Sequence, residues 1–283
     1  MPLSEADMIN EAPIMHHEDN HKTDQAGSKV IPFHGQHSME FPTVSVIVPA
    51  MNEEKNLPHV LPRIPSFVHE VILIDGNSTD NTIEVAKQLY PGIRCISQSG
   101  PGKGTALRDG FAAATGDIIV MIDADGSMAP EEIPLYVGAL LAGADFVKGS
   151  RFMQGGGTDD MEFYRYLGNL GFTVAVRLLF GANYSDLCYG YAAFWRRVLP
   201  KLNLKSTGFE IETEMNIRAL KAKLKVAEVP SFEDLRVHGT SNLNTIRDGF
   251  RVLFQVIKEF VGITGTPANK PSEKQADQGL QLI

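Results

Sequence analysis

Residues 118–127 read IIVMIDADGS, an apolar run that turns acidic at Asp123 and Asp125 with one alanine between them. Side chains two apart on a strand point the same way, and two carboxylates about 5 Å apart repel by about 3 kcal/mol at an effective dielectric near 20. A hard divalent cation, Mg2+ or Mn2+, is the expected counter-charge. Magnesium takes one or two carboxylates and completes its shell with phosphate oxygens and water. The same switch from apolar to acidic occurs twice more. VPAMNEEKN delivers Asn52, Glu53 and Glu54, and ILIDGNSTDNT delivers Asp75, Asn77, Ser78 and Asp80. One acidic strand end is an ordinary turn signal, because Asp and Gly favour turns for backbone reasons; three at one edge point to a site. A basic partner sits in QSGPGKGTALRDG (98–110), where Gly100, Gly102 and Gly104 surround Lys103, with Arg108 one turn into a helix. This is no Walker A loop, since position 97 is Ser97 and Gly104 separates Lys103 from Thr105; nor is it a dinucleotide fingerprint, which needs a third glycine. It is expected to offer backbone N–H groups and a cation to a phosphate at a helix N-terminus.

The elements that must position these groups alternate. TVSVIV (43–48), EVILI (70–74), IRCI (93–96) and DIIVMI (117–122) are short β-branched runs. Helix-like segments lie near 53–64, 79–89 and 103–115, the second with Ser78 or Thr79 as its N-cap. This alternation predicts crossover units and a mostly parallel sheet covered by helices, which binds ligands beyond the carboxyl ends of its strands. Further on, VKGSRF (147–152) and GGGTDD (155–160) precede a helix at 162–180 that carries Arg165 and Asn169 one turn apart. In 248–262, Phe250, Leu253, Phe254, Ile257 and Val261 recur at helical spacing. Core packing is the usual meaning of such a stripe; with Arg247, Arg251 and Lys258 beside it, contact with a membrane surface is the other.

A formal charge of -8 over 283 residues speaks against a general nucleic-acid binder. Two cysteines, Cys95 and Cys188, lack metal-ligand spacing and suggest a reducing compartment. With no apolar leader and no run of roughly 18 uncharged apolar residues, the expectation is a cytoplasmic protein, peripheral on the inner membrane face if its acceptor is a lipid. Residues 1–41 hold five of the eight histidines, including His16, His17 and His21, and with 264–283 they read as polar, disordered tails. The region from 42 to 263 is expected to fold, with a nucleotide half over about 42–150 and an acceptor half over about 151–263.

Taken in order, VPAMNEE, DGNSTDNT, GPGKGTALRDG and DADGS resemble glycosyltransferase family 2, over about residues 43–240. The resemblance implies a GT-A type, Rossmann-like α/β fold, a mostly parallel sheet with helices on both faces. It also implies a nucleotide diphosphate sugar donor, UDP- or GDP-linked. Asp75 would contact the base, Pro49, Asn52 and Glu53 would line the nucleotide pocket, and Asp123 and Asp125 would hold ribose and metal-bound diphosphate. YSDLCYGYAAFWRR (184–197) is similar to the segment with a catalytic or acceptor-facing aspartate, here Asp186. TGFEIETEMNIRA (207–219) matches an F-E-x-E element, giving Glu210 and Glu212. EDLRVHGTSNL (233–243) is similar to the R-x-x-G-x-S loop of dolichyl- and polyprenyl-phosphate sugar synthases, giving Arg236, Gly239 and Ser241, with His238 as a further metal ligand. Lys103, Arg165 and Arg236 would add charge against the diphosphate, Arg165, Asn169, Arg236 and Ser241 would face the acceptor, and Asp186 would be the base for a hydroxyl acceptor. The chain departs from the lipid-phosphate pattern at Ser127 and Asn242, and it lacks the Q-x-x-R-W element of processive synthases, so single transfers are expected. Polyprenyl phosphate is the leading acceptor, a small phosphorylated acid or other hydroxyl acceptor the alternative, and a homodimer is allowed. Two rivals stay open at this stage, a sugar-phosphate nucleotidyltransferase and a noncatalytic nucleotide-sugar-binding module.

Overall fold

The computed structural model describes residues 41–241 and 243–262. The expectations for the two tails, Phe41 aside, and for Asn242 lie outside the described residues. In chain order the elements are β1 (Val44–Ala50), β2 (Glu70–Asp75), α1 (Thr82–Leu89), β3 (Arg94–Ser97), α2 (Lys103–Ala113), β4 (Ile118–Met121), α3 (Ile133–Leu141), β5 (Phe146–Ser150), β6 (Gly157–Thr158), α4 (Phe163–Phe180), β7 (Ala192–Trp195), α5 (Leu199–Leu202), α6 (Ile211–Lys221), β8 (Val226–Pro230), β9 (Phe232–Glu233) and α7 (Thr245–Val261).

Seven strands form one sheet in the order β3-β2-β1-β4-β7-β5-β8, while β6 and β9 make a small parallel pair. Only β7 runs against its neighbours, β4 and β5. The C-terminal ends of β1, β2, β4, β5 and β8 therefore share one edge, which β7 enters from its N-terminal end. Strand periodicity splits β1 between two layers. Val44, Val46 and Val48 pack toward α1 and α3, while Ile47 packs toward α2 and α6 with Ile72, Ile74 and Ile119. Gly110 lets α2 lie close on the sheet, since a Cβ there would stand 2.4 Å from Ile47 Cγ2.

Three local expectations are corrected. The helix near 53–64 is instead two short 3-10 turns, Leu57–His59 and Leu61–Arg63, because Pro58 and Pro62 lack the N–H a continuous α-helix needs. Asn81, not Ser78 or Thr79, directly precedes α1. Ser78 Oγ accepts the Asn52 N–H and Thr79 donates its N–H to Asn52 Oδ1, at 2.9 and 2.8 Å, tying the loops after β1 and β2 together. The stripe on α7 does not enter the core. Phe250, Leu253, Phe254, Ile257 and Val261 face outward, and the buried face carries Asp248, Gln255 and Glu259 beside Val252 and Val256.

Candidate active site

The shared strand edge opens into a cleft of about 950 Å³ whose walls include Pro49, Lys103, Asp123, Asp125, Arg165, Glu212, Arg236 and Ser241. A smaller hollow of about 410 Å³ is lined by Asn52, Glu53, Arg236 and His238 among others.

Strand β4 ends at Met121, so Asp123 and Asp125 lie on the turn beyond it rather than side by side on a strand. Each has its own cation. Lys103 Nζ is 2.7 Å from Asp123 Oδ1 and 2.9 Å from Glu212 Oε1. Arg236 Nη2 is 3.0 Å from Asp125 Oδ2, and its Nη1 is 3.0 Å from Glu53 Oε1. Ser127 donates to Asp125 Oδ1 through its N–H and hydroxyl, at 3.0 and 2.7 Å. The repulsion expected from the sequence is thus offset by Lys103 and Arg236. Burial pushes Asp123 up to about 6, with the pull of Lys103 opposed by Asp125 and Glu212. For Lys103 burial works against the charge, but Asp123 and Glu212 outweigh it and the pKa is raised. Arg236 behaves likewise, raised by Asp125 and Glu53 against its burial.

Among the described residues no three His, Cys, Asp or Glu side chains are gathered to hold a metal ion. His238 is exposed, its ring 5.8 Å from that of His59, and its backbone carbonyl accepts from Asn56 Nδ2; the expected third ligand is not assembled with the aspartates. Asp125 and Asp123 still fit magnesium or manganese, because a Mg2+ site at a phosphate needs no more than one or two protein carboxylates.

On the nucleotide side, Asp75 ends β2 and is buried, accepting the Ser78 N–H at 3.2 Å, while its neighbours Ile74 and Gly76 line the cleft. Asn52 has φ +60 and is clamped to the loop after β2. Glu53 is buried and accepts from Asn56 and Arg236. The start of α2 corrects one expectation. The N–H groups of Gly104 and Thr105 donate to the Thr207 carbonyl, at 2.9 and 3.3 Å, so segment 206–208 takes the donors foreseen for a phosphate. Lys103 is the charged residue that this stretch gives the cleft wall, beside Gln98, Gly102 and Ala106.

The acceptor-side expectations divide. Arg165 lines the cleft and is held by Asp160, 3.2 Å from its carbonyl and 3.5 Å from its carboxylate. Ser241 also lines it, its hydroxyl accepting the Leu243 N–H. Asp186 and Asn169 do not fit their assigned roles. Asp186 is 0% exposed, gripped by Arg151 through Nε–Oδ2 at 2.7 Å and Nη2–Oδ1 at 3.0 Å. Asn169 Nδ2 donates to Asp186 Oδ1 at 2.8 Å, and its Oδ1 accepts the Cys188 N–H. Burial opposes the charge of Asp186, but Arg151 and Lys148 hold its pKa below the ordinary carboxylate value. A buried carboxylate that binds protons weakly and cannot reach the cleft is a poor general base.

Sequence reasoning missed the hub of this network. Arg151, in VKGSRF, also pairs with Glu233 at 2.9 Å and lies over the Tyr189 ring at 4.7 Å. The available signal was the one used elsewhere, a charged residue directly after an apolar strand. Glu212 was singled out without a partner, which proves to be Lys103.

A family model for glycosyl transferase family 2 matches residues 45–202. The chain belongs to that family. Dolichol-phosphate mannosyltransferase of Pyrococcus furiosus is 33% identical over 227 residues, covering 76% of this chain but 64% of that protein, a little under two thirds of its length. Polyprenol monophosphomannose synthase of Mycolicibacterium smegmatis is 32% identical over 217 residues, 70% of this chain and 80% of that one. The crystal structure of glucosyl-3-phosphoglycerate synthase from Mycobacterium tuberculosis with Mg2+ and UDP superposes with a TM-score of 0.64 at 27% identity, over 78% of this chain and 80% of that one. The family 2 chain has the GT-A fold that its motifs implied.

Proposed function

We propose that this family 2 protein transfers one hexosyl unit from a nucleotide diphosphate sugar to a phosphorylated acceptor, with polyprenyl phosphate as the leading acceptor class. The observation that carries the reading is the convergence of Asp123, Asp125, Lys103 and Arg236 on one cleft at the carboxyl edge of a parallel sheet. Glu53 and the clamped Asn52 shape the nucleotide side. A divalent cation held at Asp125, with Asp123 beside it, supplies positive charge against the leaving diphosphate. Lys103 and Arg236 already carry fixed positive charge at the same place, where a low-dielectric cleft makes it count most. Arg236 lies on the segment after β9 and reaches both Asp125 and Glu53, so it positions that segment over the diphosphate.

The burial of Asp186 bears on the acceptor. A hydroxyl nucleophile needs a base to take its proton, and the expected one is sealed away. A phosphate oxygen is already ionised and needs none. Arg165 offers that acceptor a cation from across the cleft. The likeness to glucosyl-3-phosphoglycerate synthase favours a second acceptor class, a small phosphorylated acid, whose phosphate Arg165 suits equally but whose hydroxyl would need a base other than Asp186.

The test screens UDP- and GDP-linked hexoses with magnesium or manganese for nucleotide diphosphate release, alone, with a short polyprenyl phosphate and with 3-phosphoglycerate. Release stimulated by polyprenyl phosphate supports the leading reading, and release stimulated only by 3-phosphoglycerate moves the acceptor to the second. Donor binding without any release under all conditions reduces the protein to a noncatalytic binder and overturns the proposal.

A further inference from the structure

The two long helices beside the cleft are turned inside out. Along α4 the buried positions are Asn169, Thr173 and Val176, while Phe163, Leu167, Leu170, Val174 and Leu178 are exposed. Along α7 the acids are inside and the phenylalanines outside, Phe250 at 66% and Phe254 at 67% exposure. Burying polar groups while leaving large apolar ones in water reverses the ordinary pattern of a surface helix. Of the inward polar groups, Asn169 is satisfied by Asp186 and Glu259 by Arg218 and Lys221, while the Thr173 hydroxyl finds no partner. The arrangement is therefore built, and the apolar face is left for something else.

The two faces belong together. Phe180 and Phe260 meet edge to face at the C-terminal ends of α4 and α7, with ring centroids 6.1 Å apart. At the N-terminal ends, Tyr164 and Arg165 of α4 and Thr245, Arg247 and Arg251 of α7 line the cleft. One apolar surface thus runs from the cleft mouth along both helices.

Charge selects the occupant. The acids within α4 and α7, Asp248 and Glu259, are buried, whereas Arg177, Arg247 and Arg251 are exposed and Lys258 is half-buried. This cationic rim belongs to a chain of net charge -8. A two-fold contact between copies would set the same patch against itself, cation against cation. The sequence after α7, TPANKPSEKQADQG, is polar and does not match an apolar face. A bilayer with anionic headgroups matches both features, taking aromatic and aliphatic side chains into its acyl boundary and cations at its phosphates.

We propose that the outward face of α4 and α7 seats the protein on an anionic lipid surface, with the cleft mouth at the headgroups. This deepens the lipid-acceptor reading, because it brings a membrane-held phosphate to Arg165, and it is tested without donor or acceptor. The full chain is floated with vesicles of phosphatidylcholine and with vesicles containing phosphatidylglycerol, alongside F254S/I257S and R177E/K258E, none of whose positions lines the cleft. The wild type should bind the anionic vesicles and lose binding as salt rises. Each double variant should bind about tenfold more weakly or worse, with unchanged melting. Wild type that floats with neither vesicle overturns the proposal, whether it sediments as a monomer or as a dimer that F254S/I257S separates. Equal binding by all three proteins overturns it too. A failure of sugar transfer leaves the vesicle result standing, so the two readings fall separately.

Discussion

Two clusters of carboxylates and cations lie within this fold, made of the same side-chain types and put to different use. In the cleft, Asp123 and Asp125 meet Lys103 and Arg236, with the aspartate side chains 26% and 16% exposed. At its wall, Arg151 and Glu233 line the same cleft and pair, and Arg151 also meets Asp186 behind them, which has no exposure at all. The buried cluster is closed, since Arg151 spends all three of its nitrogens on carboxylates and Asn169 takes up a lone pair of Asp186. The cleft cluster is open, with single cations reaching across from separate elements. The difference teaches that ionic pairing does not mark a site; access for a ligand does.

Several substitutions break or sharpen that contrast. The largest effect is expected in the cleft. R236Q should lower the rate of nucleotide diphosphate release by about a hundredfold while costing about 1–3 kcal/mol of stability, since it takes a donor from the buried Glu53 and leaves it Asn56; a steady-state assay beside a urea melt checks both. In the buried cluster, R151M should cost about 3–5 kcal/mol by leaving Asp186 and Glu233 unpaired, read as a fall in the urea midpoint.

The pH dependence should run in opposite directions at the two places. The pKa of Asp186 is lowered, so its contribution is fully present above the ordinary carboxylate value of 3.8 and is lost as pH falls below it. Asp123 is raised to about 6, so its ionisation works against the ligand-free fold as pH climbs from about 4 to about 6. In melts run from well below pH 3.8 to above pH 6, D186N should flatten the loss on the acid side, and D123N should flatten the decline between about pH 4 and about pH 6. The smallest effect belongs to a control pair at the opposite sheet edge. Arg94 and Glu70 are 2.6 Å apart with Arg94 44% exposed, and R94A should cost under about 1 kcal/mol and leave turnover unchanged.

Much of the cleft was legible in the sequence because strand ends are local. The runs 43–48, 70–74 and 117–122 located β1, β2 and β4 within one or two residues, and a parallel sheet must bring their ends together. The ion pairs were not legible. Lys103 finds Glu212 across 109 residues and Arg236 finds Glu53 across 183, separations that no periodicity reports. The role of Asp186 was misread because a motif identifies a residue type, not how deeply the fold places it. The stripe on α7 was read correctly as a helix, with core packing and a membrane surface both left open, since periodicity shows that a helix has two faces but not which one turns inward. Which face is buried is decided by the partners it meets, here Arg218 and Lys221 waiting for Glu259.

The contrast between the two aspartates is tested most directly by one paired measurement. D125N and D186N are compared for nucleotide diphosphate release per folded molecule and for urea midpoint, with the donor and metal that the wild type uses. D125N should lose about a hundredfold or more in release with a midpoint close to wild type, and D186N should lose midpoint while its folded fraction turns over within a few-fold of wild type. Full release by D125N, or a D186N protein that stays as stable as wild type yet no longer turns over, would place the chemistry at the buried aspartate and reverse the assignment.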